Sequence, residues 1–264
     1  MFSTVSSELF KLRKSIGFWI MILIAGVMAI FSSVLMGLLP MMLPGEDLMG
    51  LNPGSVSEIL NMALSSNISN ILFILVGFTI VFMNSDFTAG TIRNPLAIGI
   101  SRLEYYIGKF IIILITCLAF VIVVIIGTAL PYFLFQPWGD SFHFANFMAG
   151  LGIGYLILVT QATIFSTVAL ITRKTGATLG IVIGYLVLDM IVGGFVMVRE
   201  MFGDINTVVR GLLNIFPTPA GVYLNEVSMG IADVGNVIAL IIVSVALTAL
   251  MSALAIRSLN KRDI

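Results

Sequence analysis

Few side chains in this sequence could do chemistry, and most of them stand alone. Asp189 lies well inside an apolar stretch, where a charge costs about 2.5–3.5 kcal/mol on insertion scales and needs a partner, water or a proton. Two uses fit it: a contact on a translocation path or between subunits, or a protonated, hydrogen-bonded packing residue. Gln161 and Asn70 are weak polar company. The single histidine, His143, sits between Phe142 and Phe144, without the H-E-x-x-H spacing that would hold zinc. Cys117 is the one cysteine and lies in an apolar run, so it offers neither an internal disulfide nor a Cys–His nucleophile. Lys174-Thr175 follows Arg173, not the glycine of a phosphate-binding G-x-x-x-x-G-K-[ST] loop, and no G-x-S-x-G occurs. These residues supply no centre for nucleotide hydrolysis, metal catalysis or acyl transfer.

One stretch is polar and internally punctuated. Residues Asn84 to Phe110 read NSDFTAGTIRNPLAIGISRLEYYIGKF. Gly90 permits a tight turn, and Asn94-Pro95 marks a second break. Ser101-Arg102-Leu103-Glu104 has the form of a capping box, the serine bonding the Glu104 amide and Glu104 reaching back. The pattern predicts a helix starting near Arg102, with Pro95 to Gly99 long enough for one or two turns across a membrane surface. Basic residues of a membrane-facing linker account for Arg93, Arg102 and Lys109, but not for the length or the punctuation.

The elements that position these residues follow from composition. Of 264 residues, 59% are hydrophobic and 10% charged, with mean hydropathy +1.13. A soluble domain is about 25% charged. The balance excludes an ordinary soluble enzyme, a disordered chain and a nucleic-acid binder with a basic face. A helix needs roughly 20 apolar residues to cross a bilayer core. Six stretches qualify: about Ile16 to Leu39, Asn67 to Ser85, Tyr106 to Leu130, Phe147 to Thr172, Ala177 to Val198, and Val234 to Ile256. The first is too long for a cleaved signal and has no small-residue cleavage site after it. None shows the alternation of a membrane barrel. The reading is an all-α integral membrane protein, one transmembrane domain over residues 1–264.

Orientation follows from basic residues. With both termini cytoplasmic, Lys11, Arg13, Lys14, Arg93, Arg102, Lys109, Arg173, Lys174, Arg257, Lys261 and Arg262 fall inside, and only Arg199 and Arg210 outside. Phe2, Val5, Leu9, Leu12 and Ile16 recur at helical spacing, so residues 1–15 are expected to form an amphipathic elbow helix in the inner headgroup layer. In the first outer loop, SVSEILNMALSS is expected to form a short helix over the outer leaflet. Asn67-Ile68-Ser69 matches a glycosylation acceptor by chance, since it starts a span. In the outer segment 199–233, an apolar piece from Val208 to Ile215 is followed by Phe216-Pro217-Thr218-Pro219. It is too short to span, so a re-entrant or interfacial element packed against the bundle is expected. The two halves show no repeat of the kind found in inverted-repeat carriers.

Asp86-Phe87-Thr88-Ala89-Gly90-Thr91-Ile92-Arg93, then Ser101-Arg102 and Gly108-Lys109, resembles the membrane subunit of bacterial type-2 ABC exporters, the ABC-2 type permease family. Asp86 stands where Glu is commoner, and Gly99-Ile100 where Pro usually precedes the Ser-Arg pair. The resemblance implies a permease in the bacterial cytoplasmic membrane, paired with a second copy or a related permease and bound to cytoplasmic ABC ATPase subunits. It implies that residues 86–105 form the coupling loop, with Asp86, Gly90, Thr91, Arg93, Asn94, Pro95, Leu96, Ile98, Ser101 and Arg102 at or near the ATPase. It implies no cofactor in this chain, with ATP and Mg held by the ATPase, and no covalent chemistry here. Expected cargo is hydrophobic or amphipathic, such as an antimicrobial peptide or drug. The alternative is a self-contained carrier or channel, for which Asp189 would be the residue to test.

Overall fold

The structure is a computed structural model describing residues 2–42, 56–88, 100–135, 144–202, 213, 215–230, 232 and 234–261. These residues are almost wholly helical, and no strand occurs among them. The helices are α1 (Phe2–Lys14), α2 (Ile16–Met42), α3 (Val56–Thr88), α4 (Arg102–Phe135), α5 (Phe144–Thr172), α6 (Thr175–Phe202), α7 (Pro217–Met229) and α8 (Val234–Lys261). Six of them, all but α1 and α7, are long and apolar enough to cross a membrane. The chain is an all-α integral membrane protein.

The chain breaks at Ser15, whose Oγ accepts the Phe18 amide at 3.3 Å. This hydroxyl caps α2, so α1 is a separate helix and not the start of the first span. At about 100° per residue Thr4, Glu8 and Leu12 fall on one flank of α1. They are buried against the bundle, while Leu9, Arg13 and Lys14 are exposed around the rest of the helix and Ile16 is exposed at the start of α2. The apolar stripe read from spacing is therefore divided: Leu12 packs on protein while Leu9 and Ile16 do not.

The helix that carries the second span is longer than expected. Instead of a separate short helix before Asn67, α3 runs unbroken from Val56, because SVSEILNMALSS contains no glycine or proline to stop it. The other spans also extend beyond their apolar stretches, since hydropathy marks the lipid-facing length and backbone hydrogen bonding carries on past it. α4 continues beyond Pro131 to Phe135. Its start agrees with the capping reading: the Glu104 amide bonds Ser101 Oγ at 3.2 Å.

α5 is the central helix, buried along most of its length and packed against α3, α4, α6, α7 and α8. α2, α6 and α8 lie at the periphery and expose large apolar side chains such as Phe31, Met190 and Ile242. In a membrane chain such faces meet lipid or another helix. α2 and α4 approach closely at Gly127, where a Cβ would lie 2.8 Å from that of Ala29. Nearby, Asn67 is 1% exposed and ties three spans together. Its amide nitrogen donates to Thr128 Oγ1 at 2.9 Å and to Ser33 Oγ at 3.3 Å, and its Oδ1 accepts from the Ser32 hydroxyl. Here Asn67 is a packing residue and not an accessible glycan acceptor.

Candidate functional site

Two polar centres stand out in this apolar bundle. The first lies at its basic end, where α1 meets the last turns of α3 and the first turns of α4. Lys109 is 1% exposed, yet its Nζ sits 2.7 Å from Glu8 Oε2 and 2.7 Å from Asp86 Oδ2. Lys11 Nζ joins the same two carboxylates, at 2.6 Å from Glu8 Oε1 and 3.3 Å from Asp86 Oδ1. The Tyr105 hydroxyl donates to Asp86 Oδ2 at 2.9 Å. Two cations and two anions thus alternate in one ring, with each carboxylate bridging both lysines. The Phe82 ring, 4.3 Å from Lys109 Nζ, walls the ring on one side and adds a cation–π contact. Leu12, Phe18, Phe78 and Ile112 continue that wall. Such a neutral cluster tolerates burial because every charge is matched. Removing one partner strands the others, a loss of about 3–5 kcal/mol for buried pairs. Burial draws the Lys11 ammonium down, but the Glu8 hydrogen bond and the Asp86 charge outweigh this and hold it above the ordinary lysine range.

Sequence-selected residues fall around this ring. Asp86 is part of it. Ser101 caps α4. Arg102 turns back on the molecule, its Nη1 donating to the Leu259 and Asn260 carbonyls at 2.7 and 3.0 Å. There it satisfies the end of α8 and matches the negative pole of that helix. Gly90, Thr91, Arg93, Asn94, Pro95, Leu96 and Ile98 lie outside the described residues. Residues 89–99 connect α3, which ends at Thr88 just beyond Asp86, to α4, which starts just after Ser101, so the charge ring ties together the two helices that flank this segment.

The second centre is built around Asp189, which is 4% exposed. α7 opens with Phe216 as an N-cap lacking a side-chain bond and with proline in its first turn. Pro217 and Pro219 have no amide proton, so Thr218 is the donor left between them. Asp189 takes it: Oδ1 accepts the Thr218 amide at 2.9 Å and Oδ2 the Thr218 hydroxyl at 2.7 Å. One turn along α6, Gly193 leaves the room that Thr218 fills, since a Cβ there would lie 2.8 Å from that of Thr218. Just before α7, the Ile215 carbonyl accepts Gln161 Nε2 at 2.9 Å and lies 2.8 Å from the Tyr185 hydroxyl, which also donates to Gln161 Oε1 at 2.9 Å. Gln161 lies roughly 16 Å along α5 from its basic end, about half the thickness of a bilayer core. At its other end α7 stops at Gly230, in the left-handed region at φ 74° beside Asn146, near the opposite end of α5. α7 therefore starts at mid-depth and rises along α5, a re-entrant helix. Its two prolines lie in its first turn and end the apolar piece that precedes it.

A family model described as ABC-2 family transporter protein matches residues 4–189, well over half of the chain. The chain belongs to the ABC-2 transporter family. No curated protein matches the sequence. In this ABC-2 family chain the match covers α1, the charge ring, the loop and most of the first five spans, and it ends at Asp189, before α7 and α8. The chain is a membrane component of an ABC transporter.

Sequence reasoning missed much of the ring. Asp86 was selected, while Lys109 entered only through the Gly108-Lys109 pair of the resemblance and as a basic residue of the inner side, Lys11 only as such a basic residue, and Glu8 was not selected. A signal was present. Glu8 is the one acid of α1 and stands four residues from Thr4 and from Leu12, on the face that packs.

Proposed function

We propose that the chain is the permease subunit of an exporter in the bacterial cytoplasmic membrane, driven by separate cytoplasmic ATPase subunits. Its cargo is hydrophobic or amphipathic, an antimicrobial peptide or a drug. The observation that carries the reading is the charge ring joining both stems of the loop 89–99 inside a chain of this family. A loop that receives force from an ATPase needs stems that move as one, and four matched charges sealed by aromatics provide that stiffness. Arg93, Pro95, Leu96 and Ile98 are the loop residues assigned to the ATPase contact, with ATP and Mg held by the ATPase. Arg102 supports the loop through α8. Pairing with a second permease is supported by α6, whose Gly176, Gly180 and Gly184 recur every fourth residue with nothing within 4 Å of their Cβ positions. Spacing of this kind lets another helix approach closely in a membrane.

The test is reconstitution with and without the ATPase. The purified chain alone hydrolyses no ATP, and co-expression with its ATPase yields a complex that does. Arg93→Glu, which leaves the Arg102 contacts to α8 in place, prevents co-purification of the two. Cargo flux from this polypeptide alone, driven by an ion gradient and lost with Asp189→Asn, would establish the self-contained carrier instead.

A further inference from the structure

We propose that Lys109 is a positioning residue that makes α1 part of the transmission from ATPase to spans, and not merely a membrane anchor. The inference rests on the exporter reading above. Three elements meet at this ammonium: α1 through Glu8, the α3 stem through Asp86, and α4, which carries it. α1 touches the rest of the bundle chiefly through α4. There Gly108 admits Thr4 so closely that a Cβ at Gly108 would lie 3.2 Å from Thr4 Cγ2. A helix held only by its apolar flank could slide in the headgroup layer. This one is pinned by a buried carboxylate whose partner is itself bonded to the root of the loop. A push on the loop therefore reaches α1, and across the break at Ser15 the first span, whose Trp19 indole bonds the Arg13 carbonyl at 2.9 Å. Lys11, whose side chain is 44% exposed, closes the ring from the solvent side, while Lys109 holds it from within.

The geometry supplies its own probe. Cβ atoms at positions 4 and 108 would lie 3.9 Å apart, inside the range for an unstrained disulfide. In a Cys117→Ala background, Thr4→Cys with Gly108→Cys forms a disulfide readily in the permease alone, and several-fold more slowly when Lys109→Met is added. Equal rates would overturn the lock whatever the ATPase does. In the complex with the ATPase, Lys109→Met lowers the stimulation of ATP hydrolysis by the permease about tenfold, the size of a typical coupling between sites. Oxidising the 4–108 pair restores it. Glu8→Gln, which leaves the Lys109–Asp86 pair intact, acts in the same direction and covers the case in which Lys109→Met does not fold. Loss of stimulation on forming the disulfide with Lys109 in place would show that α1 must leave α4 during the cycle, and full stimulation by Lys109→Met would show that the ring carries no force. Either result ends the proposal. If the unmodified chain recruits no ATPase, the exporter reading fails and the transmission role with it, while the oxidation rates still report the lock.

Discussion

At the residue scale, a carboxylate in an apolar span is decided by what meets its oxygens. Asp189 is identified by sequence as expensive and in need of a partner. That the partner is Thr218, in the one unblocked donor position between two prolines, depends on a contact across 29 residues. Asp189→Ala should lower thermal stability in detergent by about 1–3 kcal/mol, the cost of a buried donor left unmet. Thr218→Ala should cost less once Asp189 is already gone, as expected of partners in one network. Lys11 gives a pH prediction. A cation held above its unfolded value contributes fully below that value and loses its contribution only as pH climbs through the folded one. Protection factors along α1, with the intrinsic base-catalysed exchange rate divided out, should therefore stay unchanged when pH rises from about 7 to about 9, and fall only in more alkaline solution.

At the element scale, spacing and caps were good guides to where helices begin, and hydropathy was a poor guide to where they end. Ser101 marks the start of α4 because a cap is a local device, complete within one turn. That α3 runs unbroken from Val56 into the span was hidden because hydropathy falls there while the backbone goes on bonding. Arg102 was assigned by sequence to an outside partner, and in the folded chain it holds the carbonyls that end α8. Arg102→Ala should raise amide exchange over the last turn of α8 several-fold while α4 stays protected. A matching rise in α4 would mean that Arg102 stabilises its own helix instead. The re-entrant segment was expected from an apolar piece too short to span, yet its direction along α5 needed both ends: Ile215 at Gln161 and Gly230 beside Asn146.

At the scale of the whole molecule, the central position of α5 leaves α2, α6 and α8 to meet lipid or a second copy. Gly180→Leu, placed where a neighbouring helix would come closest, should reduce cross-linked dimer in membranes several-fold without lowering expression. An unchanged dimer yield would remove α6 from the interface. Sequence by itself determined the class, the six spans, the side on which basic residues gather and the loop that matches a family, because burial in lipid and charge placement act residue by residue along the chain. It also marked Asp189, Ser101 and the proline pair. Only the tertiary structure decided which charges neutralise one another. Glu8, Lys11, Asp86 and Lys109 come from three helices, and pairing at 2.6 to 3.3 Å depends on how those helices pack. The scarcity of charge was legible in composition, and its concentration into one buried ring was not, because the ring exists only where α1, α3 and α4 meet.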